Sequence, residues 1–184
     1  MLALNVSTEV LNGFSIVEES IRRTSANAAK ENKVIYDNFE AQLKANPAKV
    51  KAWFDKAQTV KKMSDSLYNL AEELKLAIVR EADGDDADVH NIIAKDNLEA
   101  ANQVMLAPGR GRGGELFNAI NSFRSRILAM VDDPEQKQII SSNLTTDIPK
   151  NAVTMGKNWQ EYMFEDMPTA GAVTLLTKLQ SDVR

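Results

Sequence analysis

A regular helical stripe of apolar residues in the second quarter of the chain constrains the fold more than any other feature. After Pro47 the stripe advances by alternating steps of three and four residues, interrupted by one serine: Val50, Trp53, Ala57, Val60, Ser64, Leu67, Ala71, Leu74 and Ile78. Four heptads of this regularity indicate coiled-coil-like packing against a neighbouring helix. Further apolar residues widen the face, which favours a helical bundle over an isolated two-stranded coiled coil.

A second long helix is predicted immediately before it, from Ser7 to about Ala45. Its apolar residues recur at mostly three- and four-residue steps, and Glu18–Arg22, Glu19–Arg23 and Glu40–Lys44 are spaced as i,i+4 ion pairs. Asn46 and Pro47 are typical of an N-cap followed by the first helical residue. At 1.5 Å per residue each helix would reach about 54 Å. Because a compact domain of this length would be about 40 Å across, we expect an elongated molecule.

Helical periodicity returns in the second half of the chain. Leu116, Ile120, Phe123 and Ile127 lie on one helical face, Asp133-Pro134 begins a short helix, and Pro168 begins the last one. Trp159, Tyr162 and Phe164 are predicted to fill a gap between helices. The sequence therefore predicts an all-α, elongated helical bundle in which two long N-terminal helices are followed by several shorter ones. We predict one domain over residues 1–184, whose helix-packing core comprises Val50, Trp53, Val60, Leu67, Leu74, Ile78, Leu116, Ile120, Phe123 and Ile127.

The composition argues against several classes of catalytic, metal-binding and nucleic-acid-binding site. The 184 residues include no cysteine and only one histidine, His90, which excludes disulfides, thiolate nucleophiles and metal sites with two histidines. The net charge of −4 makes nucleic acid a poor partner. No nucleophile and base stand at a spacing that indicates catalysis, so we predict no catalytic residue, no cofactor and no metal site, and a protein that is not an enzyme.

Two unusual segments have simple structural interpretations. The acidic segment from Asp83 to Glu99 would need Gly at position 88 and Glu at position 94 to be an EF-hand loop, but Asp88 and Ala94 stand there. We interpret it as a solvated acidic loop. The glycine-arginine segment from Pro108 to Gly114 lacks the Lys-Ser/Thr of a phosphate-binding loop. We interpret it as a flexible connector.

Four segments together resemble the GldM/PorM family. They are Ala3-Leu4-Asn5-Val6-Ser7 continuing through Glu9-Val10-Leu11, then Gly114-Glu115-Leu116-Phe117-Asn118-Ala119-Ile120, then Trp159 to Pro168, and finally Val173 to Arg184. Their order covers essentially the whole chain and corresponds to the family's N-terminal helical periplasmic portion. The first residues are apolar but too few to span a bilayer, and the last helix stops within its apolar stripe. These ends predict a fragment of a longer chain, and the resemblance implies a membrane helix before Met1 and β-rich domains after Arg184.

The resemblance implies a homodimeric periplasmic shaft, anchored in the inner membrane, in the type IX secretion system and in gliding motility. Its implied partners are a GldL/PorL-type motor protein in the inner membrane and GldK/PorK-type and GldN/PorN-type components associated with the outer membrane. The shaft would carry motion driven by the proton-motive force between them. On this basis we expect the membrane-proximal helix to contribute to the dimer through Leu4, Val10, Leu11, Phe14, Val17 and Ile21.

A ligand-sensing domain of a membrane receptor is the alternative. Such a domain would require a pocket between helices lined by convergent polar groups. An enzyme fragment is a third and weaker alternative, because no active site can be assembled from the sequence.

Overall fold

The computed structural model describes residues 6–184, and its secondary structure across them consists of helices with no strands, which confirms the all-α prediction. The two long N-terminal helices are present where the periodicity placed them. In chain order the helices are α1 (Thr8–Ala45), α2 (Pro47–Asp83), α3 (Glu99–Ala101, continuing into a π-helical turn Asn102–Leu106), α4 (Gly113–Leu128), α5 (Pro134–Asn143), α6 (Lys150–Thr154), α7 (Trp159–Phe164) and α8 (Thr169–Asp182).

Local signals at the ends explain where α1 and α2 begin. The side chain of Ser7 caps α1 by accepting a hydrogen bond from the Val10 amide at 3.3 Å. Asn46 lies between the two helices, and Pro47 is the first residue of α2, although the Asn46 side chain makes no capping hydrogen bond. The 38 residues of α1 give it a length of about 57 Å.

Helix α8 lies between α1 and α2, parallel to the first and antiparallel to the second. The Thr174 hydroxyl donates to the carbonyl of Phe14 at 3.2 Å, and the carbonyl of Arg184 accepts from Asn32, so residue numbers rise together along α1 and α8. Along α2 they run in opposite senses, because Gln180 bonds to Tyr68 whereas Ser64 bonds to the carbonyl of Val183. The three helices form one packed unit.

The buried core lies beside the C-terminal half of α2. Leu74 and Ile78 of α2 are fully buried there, together with Met105 of the π-helical turn, Leu116 of α4 and Leu176 of α8. The C-terminal half of α1 and the N-terminal half of α2 extend past this core. They pair with each other, as in the edge-on contact of Phe39 with Phe54 at 6.0 Å between ring centroids. The fold is thus a helical body from which a two-helix arm extends.

The acidic segment after α2 is organised by its first carboxylate. Asp83 accepts hydrogen bonds from the amides of Ile93 and Ala94 at 2.8 and 2.7 Å, which folds residues 84–94 back onto the end of α2. Asp85 and Asp86 are exposed, as expected for a solvated loop. Asp83 therefore has a structural role that the sequence pattern did not indicate.

The glycine-arginine segment forms a tight turn that ends in α4. The Gly111 amide bonds to the carbonyl of Ala107 at 2.7 Å, and the Arg112 amide bonds to that of Val104 at 2.9 Å. The Arg112 side chain bonds to Glu115 at 2.7 Å and lies 3.4 Å from Glu73 of α2. The segment we interpreted as a flexible connector is hydrogen-bonded at both backbone and side-chain level.

Replacing Gly111 with alanine is expected to lower the melting temperature by about 2–12 °C. A Cβ at this position would lie 2.7 Å from the carbonyl oxygen of Met105 and 2.9 Å from the amide nitrogen of Ala107, and backbone atoms cannot move aside easily. Circular dichroism during heating measures the change. Gly13→Ala is the matched control: a Cβ there meets nothing within 4 Å, so helix propensity should make this variant slightly more stable. Equal melting temperatures for the two variants would contradict the prediction.

Candidate functional site

The residues that we predicted to form the helix-packing core do not all lie in the same environment. Those from the C-terminal half of α2 and from α4 are buried in one cluster: Leu67, Leu74, Ile78, Leu116, Ile120, Phe123 and Ile127. Val60 is partly buried against that cluster, and Val50 is half-buried on the arm. Trp53 is 61% exposed, with the Lys56 ammonium 5.0 Å from its ring centroid. Trp53 lies on the arm, beyond the helical body, which is why it is not in the core.

The predicted membrane-proximal stripe is divided between two environments. Leu11 is buried, and Phe14 and Ile21 are half-buried on the side of α1 that α8 contacts. Val10 and Val17 are about half exposed, and Leu4 lies outside the described residues. Val10 and Val17, seven residues apart on one side of α1, are therefore left as a partly exposed apolar face.

A polar network at the meeting of α1, α2 and α8 was missed by sequence reasoning. The Lys75 ammonium is buried, 2.9 Å from Oε2 of Glu72 and 3.4 Å from the Thr177 hydroxyl. The Thr177 hydroxyl in turn lies 3.0 Å from a carboxylate oxygen of Glu18. The sequence contained one signal of this network, since Thr174, Thr177 and Gln180 put polar groups at three-residue steps along one side of α8.

Glu72 is held in its charged form by this network. Burial tends to raise the pKa of its carboxyl group, but hydrogen bonds from Lys75 and Gln180 outweigh that tendency and lower the pKa below its ordinary value. Both partners bond to Oε2 of Glu72, Lys75 at 2.9 Å and Gln180 at 2.8 Å. The network therefore joins α2 to α8 through one carboxylate oxygen.

One predicted ion pair on α1 is replaced by this network. Arg23 and Lys44 lie 4.0 and 3.0 Å from Glu19 and Glu40, as the spacing predicted. Glu18, in contrast, accepts its hydrogen bond from Thr177, and Arg22 forms no salt bridge within residues 6–184. The predicted Glu18–Arg22 pair is therefore wrong, because a contact with α8 competes for the carboxylate.

The aromatic segment of α7 closes the opposite side of the body. Asn158 and Glu161 form a capping box that begins the helix, and this places Trp159 5.9 Å from Phe117 and 6.1 Å from Phe164 between ring centroids. Trp159 and Phe164 are buried, whereas Tyr162 is 44% exposed. Glu161 is used by the cap and Glu165 pairs with Lys157, so both carboxylates have structural partners.

Comparison with protein families identifies the chain. The model of the GldM N-terminal domain matches residues 9–184, which is nearly the whole sequence. The chain belongs to the GldM family. No curated protein matches the chain in a sequence comparison.

Membership of the GldM family makes the chain a component of the gliding and type IX secretion machinery, and the family is one of structural components rather than known enzymes. Across the described residues no three His, Asp or Glu side chains lie close enough together to hold a metal ion. Within residues 6–184, moreover, no helix is both long enough and apolar enough to cross a membrane.

Proposed function

We propose that residues 1–184 form a single periplasmic domain that acts as a stiff segment of the type IX secretion shaft. The observation that carries the proposal is the match to the GldM N-terminal domain over residues 9–184. In the full-length protein, an inner-membrane anchor would precede this domain and further domains would follow it. The shaft would transmit motion driven by the proton-motive force from a GldL/PorL-type motor protein to GldK/PorK-type and GldN/PorN-type components at the outer membrane.

The arrangement of α1 and α8 supports a mechanical role. The two helices are parallel. A force applied near Phe14 of α1 is therefore transmitted through the contact with Thr174 to α8, and along α8 toward Val183 in the same direction. The hydrogen bonds from Thr174 and Thr177 to α1 join the helices at two points one turn apart. Packed helices resist bending, and this pair has no loop along the path.

The partly exposed apolar face of α1, with Val10 and Val17 each about half exposed, supports homodimerisation. In this proposal a second copy of the chain covers it close to the membrane. Such a contact would align the two α1 helices, so that both copies move together.

Two inserts of equal length in the full-length protein test the shaft role. One is a flexible Gly/Ser segment placed directly after Arg184, and the other is a helical Glu-Ala-Ala-Ala-Lys repeat at the same position. If stiffness is the contribution of this domain, the flexible insert should abolish secretion of a type IX substrate and gliding, whereas the helical insert should retain most of both. Immunoblotting must show equal amounts of the two proteins. Equal secretion with both inserts would contradict the proposal.

A further inference from the structure

A polar cleft lies where α1, α2, α8 and the loop after α2 meet. Its volume is about 260 Å³, and every side chain that lines it carries a polar atom. Ser25, Lys75, Thr177 and Gln180 form a buried floor, with exposed fractions of 1–6%. Arg22 and His90 form an exposed rim on the solvent side. We name this feature the polar cleft.

The floor of the polar cleft is held in place before any ligand arrives. Lys75 bonds to Glu72 and Thr177, and because an ammonium group has three donors, one remains for a further acceptor. Gln180 is fixed by bonds from its Nε2 to Glu72 and to the carbonyl of Tyr68 at 3.1 Å. Groups that are already positioned lose little entropy on binding, which favours specific recognition.

Positive charge exceeds negative charge among the lining residues. Arg22 and Lys75 are cationic, whereas Glu72 is the one carboxylate that lines the cleft, and the Glu18 carboxylate lies beside it on Thr177. Arg22 has no salt bridge within residues 6–184 because Glu18 bonds to Thr177 instead. A guanidinium group presents a planar fork of donors that matches a carboxylate. A guanidinium group without an ion-pair partner at the rim therefore favours a ligand with one anionic group.

Glu72 adds a requirement on the other side of the ligand. Lys75 and Gln180 both bond to its Oε2, which leaves Oε1 as a further acceptor. Arg22 and Glu72 line the same cleft, and a guanidinium group and an acceptor within one cleft suit a molecule with a carboxylate at one end and a hydrogen-bond donor beside it. A cleft of about 260 Å³ has room for a small molecule rather than a polymer chain.

We propose that the polar cleft binds a small α-hydroxy or α-amino carboxylate. Arg22 and His90 hold its carboxylate at the rim, and Glu72 accepts a hydrogen bond from its hydroxyl or ammonium group. Because the lining residues come from α1, α2, α8 and the loop that carries His90, a bound ligand connects the three helices that form the packed unit. Binding therefore stabilises the domain.

Calorimetric titration and thermal unfolding of the 184-residue chain test this inference. The probes are L-lactate and L-malate for the hydroxy acids, L-serine and L-glutamate for the amino acids, and the methyl ester of L-lactate and inorganic phosphate as controls. At ten times its dissociation constant a true ligand should raise the melting temperature by about 3–6 °C. A response to the hydroxy acids alone, or to the amino acids alone, identifies the hydrogen-bond donor that Glu72 prefers. No response to either group of acids, or an equal response to phosphate or to the ester, would overturn the proposal.

Variants of two neighbouring arginines localise the binding. Arg22→Gln should weaken the binding of the responding probe at least tenfold, because it removes the guanidinium group at the rim. Arg23→Gln is the matched control, since Arg23 is equally part of the exposed surface of α1 but pairs with Glu19 and does not line the cleft. Both changes are at exposed positions, so both variants should fold. Unchanged affinity in Arg22→Gln, or equal losses in both variants, would show that the polar cleft is not the binding site.

Discussion

Replacing Leu74 with aspartate is expected to lower the melting temperature of the chain by about 8–20 °C. Leu74 is fully buried in the α2 face of the core. A carboxylate there would lose its hydration, and the surrounding cluster is apolar. The variant would have to accommodate an unpaired charge or open the packing between α2 and its neighbours. Thermal unfolding followed by circular dichroism measures the loss.

Two further variants keep this prediction testable if Leu74→Asp does not fold. Leu74→Ala introduces no charge and should cost about 2–5 kcal/mol through the cavity that it leaves. Val34→Asp introduces the same charge on α1 at a position that is 60% exposed, and it should change the melting temperature little. If Leu74→Asp melted at the same temperature as Val34→Asp, the assignment of Leu74 to the core would be wrong.

The long helices could be predicted because local sequence determines them. The three- and four-residue steps of α2, the serine cap of α1 and the proline at the start of α2 act within one or two turns, so no knowledge of the tertiary structure is needed. The helix from Pro134 was predicted for the same reason, and Asp133 caps it through hydrogen bonds from the Glu135 and Gln136 amides. The π-helical turn Asn102–Leu106 has no such local signal, and the sequence analysis did not predict it.

The sequence could not predict which side chains of each helix are buried, or which partners they contact, because both depend on which helices pack together. Trp53 and Leu74 belong to the same stripe, but α8 and α4 reach only the second of them, and Trp53 remains exposed on the arm. Glu18 and Arg22 have the right spacing for an ion pair, but Thr177, 159 residues from Glu18 in the chain, takes the carboxylate. The polar cleft consists of such long-range contacts, and so the sequence indicated only the polar residues of α8.

We expect substitutions in the arm to lower the stability of the chain less than substitutions in the body. Residues of the arm contact mainly one neighbouring helix, whereas the body combines α2, α4, α7, α8 and the π-helical turn. Ion pairs such as Lys51–Asp55 and Lys33–Asp37 lie on exposed surfaces of the arm, where each contributes little to stability. The stability of the domain therefore depends chiefly on the body, which also contains the path from α1 into α8.

Replacing Phe164 with alanine tests the opposite side of that body and should lower the melting temperature by about 6–20 °C. Phe164 is 1% exposed and contacts Trp159 edge-on, at 6.1 Å between ring centroids. Its removal takes away both the buried ring surface and part of the apolar cluster that holds α7 against α4 and the π-helical turn.

Tyr162→Ala is the matched control, because it removes an aromatic ring from the same short helix at a position that is 44% exposed. It should cost much less stability than Phe164→Ala. The near-ultraviolet circular dichroism of Trp159 should weaken in the Phe164 variant, since the indole loses a packing partner. Equal melting temperatures for the two variants would mean that α7 only covers the body and that the aromatic cluster contributes little to its stability.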